Sequence, residues 1–304
     1  MLAIVIPYYK LDYFEATLQS LSNQTNKQFK VYIGDDASPQ DPVALLNTFS
    51  GSINFVYKRF DVNIGQVSLV QQWDRCIDMI GNEQWIMILG DDDFLGTDVV
   101  EQWYLKYKDF SDVSEVIRFA SRLVSVKQHT MSEVFEHPVF EDATDSYLRK
   151  FCHTSRSSLS EHIFSRSSYM KYGFYNYPLA WNSDDRAWLD FSDNKPIYSI
   201  NESIVYIGFS DSNISGKSDN IDKKNVSQIS FFRYLISRKL AFYKKSDLYK
   251  IVRRYENEIS TQRGLKVSEW MLLFFTYIKY FDRTEFIKFV KRFLRTSIRR
   301  DGKK

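Results

Sequence analysis

The chain has 304 residues, 44% of them hydrophobic and 26% charged, with a net charge of +3. Those fractions fit a globular chain that buries a full core in one large or two modest domains, and they exclude a disordered or fibrous one. The small net charge hides a division, because residues 1–216 hold 18 basic and 29 acidic side chains while residues 217–304 hold 23 and 9. Balances of −11 and +14 predict an acidic working domain over 1–216 and a basic, aromatic helical region over 217–304 that meets an anionic surface.

The opening MLAIVIPYYK lacks the basic n-region and long apolar segment of a signal peptide. No run reaches the roughly 18 apolar residues that span a bilayer. Cys76 and Cys152 match no metal spacing and read as free thiols in a reducing compartment. A cytoplasmic location is the expectation.

In chain order, AIVIP (3–7) is a short continuous apolar run, as for a strand buried on both faces. Asp12 is placed to cap a helix carrying Phe14, Leu18 and Leu21. FKVYIG (29–34) is a second strand and ends at the turn cluster DDASPQD. A helix near 41–49, a strand INFVYKR (53–59), a helix from Val67 to Ile80 and a strand WIMIL (85–89) follow. Strands separated by such helices indicate βαβ units and a mostly parallel sheet, where ligands bind beyond the carboxyl ends of the strands.

Two acidic clusters fall at those ends, GDDAS (34–38) and LGDDDFL (89–95). Neighbouring carboxylates repel and raise each other's pKa unless something positive sits among them. One such cluster reads as a solvated turn; two on one sheet edge point to a site. From 115 to 215 the pattern is irregular, with short strands at 116–124, 162–165 and 204–208 and a third acidic pair, Asp184-Asp185, opening a helix. SDSNISGKSDN (210–220) is polar and rich in Ser, and helices follow from about 225.

These elements resemble the family 2 glycosyltransferases of the GT-A fold over roughly residues 2–215. The likeness rests on five features in order: IVIP-Y (Ile4 to Tyr9), the DD-x-S turn (Asp35 to Ser38), N-x-G (Asn63 to Gly65), the DXD-like GDDD, and the acidic pair before a helix. The resemblance implies an α/β, Rossmann-like, mostly parallel sheet flanked by helices, here with a C-terminal helical extension. It implies transfer of a sugar from a nucleotide-diphosphate sugar, UDP-linked by preference, to an acceptor hydroxyl with inversion. Mg²⁺ or Mn²⁺ would offset the charge that accumulates on the diphosphate.

Carried over residue by residue, the resemblance makes Asp92 the metal ligand, with Asp93 beside it as a further ligand, outer support or helix cap. Asp91 takes the middle position that faces ribose or diphosphate, and Gly90 replaces the first Asp of the motif. Asp36 matches the residue that accepts a hydrogen bond from the base; Pro7 and Tyr9 line the base pocket; Asn63 belongs to the donor-binding N-x-G element. Asp185 matches the carboxylate that takes the acceptor's proton. Glu161 and His162 fall near the acceptor side, His153 and His162 read as structural, and the 210–220 segment corresponds to one that closes over the donor. The implied setting is cell-surface polysaccharide or glycolipid assembly, with a saccharide or lipid-linked saccharide as acceptor.

Two other readings use the same features. One is an inactive GT-A-like scaffold at a membrane, since fold does not establish activity. The other is a metal-dependent nucleotidyltransferase, which usually wants a phosphate loop that PYYKLDY does not provide. Nucleic acid is not expected as a partner, because the main domain is acidic. In RTEFIKFVKRFLRTSIRR (283–300), Phe286, Phe289 and Phe293 share a face among Lys288, Lys291, Arg292 and Arg295. That pattern suits either an interfacial helix on an anionic membrane, which would place the enzyme peripherally at the inner face, or a helix that packs its aromatic face on the acidic main domain.

Overall fold

The computed structural model describes residues 1–125, 130–209 and 220–301, with side chains as far as Arg295. Strand and helix alternate through β1 (Leu2–Tyr8), α1 (Phe14–Ser22), β2 (Phe29–Asp35), α2 (Val43–Phe49), β3 (Phe55–Arg59), α3 (Leu69–Ile77) and β4 (Trp85–Ile88). Then come β5 (Phe94–Leu95), α4 (Val99–Leu105), α5 (Tyr107–Phe110), β6 (Val116–Ser125), β7 (Thr130–Met131) and β8 (Phe140–Glu141). They are followed by α6 (Ala143–Phe151), β9 (His162–Ser165), α7 (Arg166–Tyr172), α8 (Ser183–Phe191) and β10 (Ile197–Gly208). The last helices are α9 (Ile221–Tyr234), α10 (Lys245–Gln262), α11 (Val267–Tyr280) and α12 (Arg283–Asp301).

One sheet runs in the order β3-β2-β1-β4-β9-β6-β10-β5. β1 pairs in parallel with β2 and β4, and β2 with β3. β9 enters antiparallel between β4 and β6, and β10 returns parallel to β6. This order sends the carboxyl ends of β1, β2, β4, β6 and β10, and the amino end of β9, to one edge. The apolar runs explain the burial: Leu2 to Ile6 of β1 and Val31 and Ile33 of β2 are fully enclosed, between Leu18 and Leu21 of α1 and neighbouring side chains.

Some boundaries differ from the sequence expectation for local reasons. Asp12 does not cap α1; the residue at that position is Tyr13, without a side-chain cap. Ser68 caps α3 by accepting from Gln71 N at 3.2 Å, so Val67 lies outside the helix. β10 is far longer than 204–208, because an irregularity between Ile200 and Ile204 lets it follow β6 along its whole length. The segment expected to close over the donor lies, at 210–219, outside the described residues.

The chain divides into two compact units, Met1–Lys223 and Lys224–Lys304. Within the second, Arg292 of α12 donates to both Glu256 oxygens (2.8 and 3.1 Å) and to Tyr277 Oη (2.9 Å), tying α12 to α10 and α11. Phe289 stacks on Tyr277 with ring centroids 4.6 Å apart, Phe286 lies against Phe274, and Phe293 meets Trp270 edge-on. The aromatic face assigned by sequence to a membrane is therefore turned onto α11, and Phe289 is buried. Among the described residues no helix is long and apolar enough to cross a membrane.

Candidate active site

The two clusters are joined through the end of β1. Tyr9 N and Lys10 N donate to Asp91 Oδ2 at 2.8 and 2.7 Å, while Ser38 Oγ donates to Tyr9 O at 2.6 Å. The strand end bearing Pro7 and Tyr9 is thus clamped from the β4 side by Asp91 and from the β2 side by Ser38. Asp35, fully buried, accepts from Ser38 N, Tyr57 Oη and Arg59 Nη1 (2.7, 2.7 and 2.8 Å), so it holds the turn together.

Asp36 faces the N-x-G element. Ile64 N and Gly65 N donate to its two oxygens at 2.8 and 2.9 Å, and Arg75 of α3 pairs with Oδ1. Asn63 shapes that turn by accepting from Gln66 N at 2.9 Å. Any side chain at Gly65 would collide with Asp36 Oδ2, which is why a glycine stands there. Burial raises the Asp36 pKa, against the lowering pull of the two amides and Arg75. A carboxylate accepts about four hydrogen bonds, and these donors leave room for one more.

The three carboxylates after β4 separate into different roles. Asp91 Oδ2 holds β1, its pKa pushed up to about 6 by burial and by Asp92, against the two amides. Asp93 is buried, with Oδ2 taking the Ser160 hydroxyl and Oδ1 the Gly208 amide at 2.8 Å. Burial and then Asp92 push its pKa up to about 8. With both oxygens engaged, Asp93 braces the turn against β9 and β10. Asp92 is half-buried, next to Gly90 and Gly208.

The described residues hold no group of three acidic, His or Cys side chains that could bind a metal ion. The oxygens of Asp92 and Asp91 nevertheless suit a hard divalent cation that takes its remaining ligands from phosphate and water. Burial first and the Asp92 charge second raise the Asp91 and Asp93 pKa values, and a cation there would offset the second of these.

The third acidic pair stands at the start of α8. Asp185 is 4% exposed; Lys150 Nζ of α6 donates to Oδ1 at 2.6 Å and Asn182 Nδ2 to Oδ2 at 2.8 Å. Burial lowers the Lys150 pKa, yet Asp185 and Asp184 leave it above its ordinary value. Asp184 is half-buried, its pKa pushed up to about 6 by burial and then by Asp185. The preceding turn holds Leu179, Ala180 and Asn182 at φ 61, 53 and 67°. Non-glycine residues there cost of order 1–3 kcal/mol each and concentrate at functional sites.

Residues 158–162 link this pair to the β4 turn. Ser160 bonds Asp93, and Gly90 N donates to Ser160 Oγ at 3.0 Å. Glu161, fully buried, accepts from Ser158 N (2.6 Å) and Arg156 (3.3 Å), and acts electrostatically on Asp93, Asp184 and Lys150. His162 stacks on Trp188 at 4.2 Å and sits beside Ser158 O at 2.8 Å. It is a core histidine. Arg75, Lys150 and Ser160 escaped the sequence reading, since QQWDRCID and YLRKF show only helical surface charge.

A βαβ sheet with carboxylates collected at the carboxyl ends of its strands suits an enzyme that takes a nucleotide-linked donor. The profile of glycosyl transferase family 2 matches residues 3–173, and the chain belongs to that family and is a glycosyltransferase. Three solved structures of TarS from S. aureus share the GT-A fold with it. The form spanning 1–349, in complex with UDP-GlcNAc, is 11% identical over 92% of this chain and 80% of its own, with a TM-score of 0.65. The form 1–349 with UDP is 13% identical with the same coverage and a TM-score of 0.61. A longer TarS structure gives 12% identity and 0.61, over 93% of this chain and 49% of its own. A comparison with curated protein sequences finds no match.

Proposed function

We propose that the protein transfers a sugar from a UDP-linked donor to a saccharide hydroxyl by a single inverting displacement, in assembly of a cell-surface polysaccharide or glycolipid. The observation that supports this reading is the chain of contacts among the acidic clusters: Tyr9 ties Asp91 to the turn that carries Asp36, Ser160 ties to Asp93, and Glu161 beside it acts electrostatically on both Asp93 and Asp184. A UDP donor is favoured because the TarS relatives are described with UDP-GlcNAc and UDP.

Asp36, oriented by Ile64, Gly65 and Arg75, uses its remaining acceptor position for the base, beside Pro7, Tyr9 and Asn63. Asp92, with Asp91 next to it, would hold a Mg²⁺ or Mn²⁺ ion. When bound, that ion supplies charge neutralisation to the departing diphosphate. Asp93 stands behind them and keeps the turn in place. Asp185 accepts the proton of the acceptor hydroxyl, held in position by Lys150 and Asn182, while Asp184 and Glu161 set the field around it.

Thermal stabilisation by UDP, GDP and CDP, each with and without Mn²⁺, tests the donor half. UDP with Mn²⁺ should stabilise most. A preference for another base would overturn the donor, and equal stabilisation without metal would overturn the metal. Incubation with UDP-sugars and release of UDP then separates an active transferase from an inactive scaffold.

A further inference from the structure

One exposed face of α11 is apolar. Between Ser268 and Lys279 every exposed side chain is apolar, namely Met271, Phe274, Phe275 and Ile278, and Val267 extends the row by one turn. The spacing of these five puts them on one side of the helix. They are between 37 and 80% exposed. The opposite side, with Leu273 and Tyr277, is buried, and Tyr277 meets Phe289 of α12. A contiguous apolar stripe on a folded surface marks an interaction site.

We propose that this stripe docks on an anionic lipid surface, with α11 lying in the plane of the headgroups. Charge complementarity selects the occupant. Residues 224–304 hold 21 lysines and arginines against seven acids, a surplus of 14. Among the described side chains, Asp247, Glu256, Glu258, Glu269 and Glu285 are each held in an ion pair within the unit, and Asp282 accepts from Glu285 N. Lys266 and Lys279 bracket the stripe, and Lys291 and Arg295 of the adjoining α12 are exposed.

A second copy placed face to face would bring two such surpluses together. A protein partner would be read through hydrogen bonds, roughly one per 100–200 Å², and the stripe offers no side chain for them. Apolar insertion with attraction to anionic headgroups fits both halves of the surface. The sequence expectation of lipid contact is kept but moved, from the Phe289 face of α12 to the outward face of α11. This inference stands apart from the sugar-transfer reading.

The test is co-sedimentation of the full chain with vesicles of phosphatidylglycerol in phosphatidylcholine, against phosphatidylcholine alone, at low and high salt. Binding should require the anionic lipid, weaken with salt, and fall at least about tenfold in Met271→Glu/Phe275→Glu and in Lys279→Gln/Lys291→Gln/Arg295→Gln. These positions are exposed, so an unchanged thermal melt is expected; Phe275→Ser is the milder variant if the double change fails to fold. Absence of binding to the anionic vesicles overturns the proposal, as does binding that the stripe variants leave intact. A solution dimer dissolved by Met271→Glu/Phe275→Glu would make a second copy the occupant instead.

Discussion

Gly65 shows how closely one backbone position is tied to Asp36, the carboxylate proposed to bind the base. Its amide and that of Ile64 hold Asp36, and an added Cβ would strike the same carboxylate, so Gly65→Ala should weaken UDP binding by about tenfold, the loss of one good hydrogen bond. Gly51→Ala, where a Cβ meets nothing within 4 Å, is the control in the same calorimetric titration. At the other end, Asp185→Asn keeps the shape and removes the proposed proton acceptor, and transfer should fall by roughly 10²–10⁴-fold with UDP affinity unchanged. A fully active Asn variant would assign the proton to another group. His162 gives a pH prediction. Burial lowers its pKa to about 3, against an unfolded value near 6.5, so the unfolded chain binds the extra proton first. Its contribution to stability is complete above pH 6.5 and is lost as pH falls toward 3, by about 1.4 kcal/mol per pH unit. Asp91 and Asp184, raised to about 6, and Asp93, raised to about 8, slope the opposite way. The measurement is therefore a difference: the stability gap between wild type and His162→Asn, from urea unfolding, should shrink between pH 6.5 and 4.5. A constant gap would mean that His162 is protonated with the fold intact.

At the scale of elements, what could be read in the sequence followed from whether a run was buried on both faces. AIVIP, FKVYIG and WIMIL are enclosed strands, and their apolar runs gave them away together with the edge where their acids collect. The antiparallel insertion of β9 was not legible, because its partners β4 and β6 are distant in sequence and HIFS carries no pairing signal. The same limit hid Ser160, whose role exists only because β9 starts beside the β4 turn. For α12, periodicity identified the apolar face correctly but could not say what covers it. Glu256 lies on α10, and its bidentate pair with Arg292 decides the matter. Arg292→Met should therefore loosen the C-terminal helices, costing about 1.5 kcal/mol, moderated because Arg253 also pairs with Glu256. Hydrogen exchange of α12 amides would record this as lost protection, with β1 to β4 unaffected; unchanged protection would show that the aromatic contacts alone hold the helix.

The whole molecule separates its charge by task. Residues 1–223 carry 20 basic and 31 acidic side chains, the reverse of the surplus of 14 in the rest of the chain. Under the proposed function this acidic unit binds a diphosphate, an electrostatic difficulty that the carboxylate edge sharpens: burial and then Asp92 raise the Asp91 and Asp93 pKa values. A divalent ion held at Asp92, as proposed, would reverse the local sign. Nucleotide and metal should then stabilise the fold together far more than either does alone. Saturation at one hundred times the dissociation constant adds about 2.7 kcal/mol to unfolding free energy by linkage. UDP alone, facing an uncompensated acidic edge, should add little of this. Asp92→Asn should abolish the synergy, while Asp185→Asn should retain it, because proton transfer plays no part in donor binding. Thermal melts of the three proteins with UDP, with Mn²⁺ and with both decide the point. Additive shifts in the wild type, or synergy that survives in Asp92→Asn, would place the metal elsewhere and leave the three-carboxylate turn with a structural role alone.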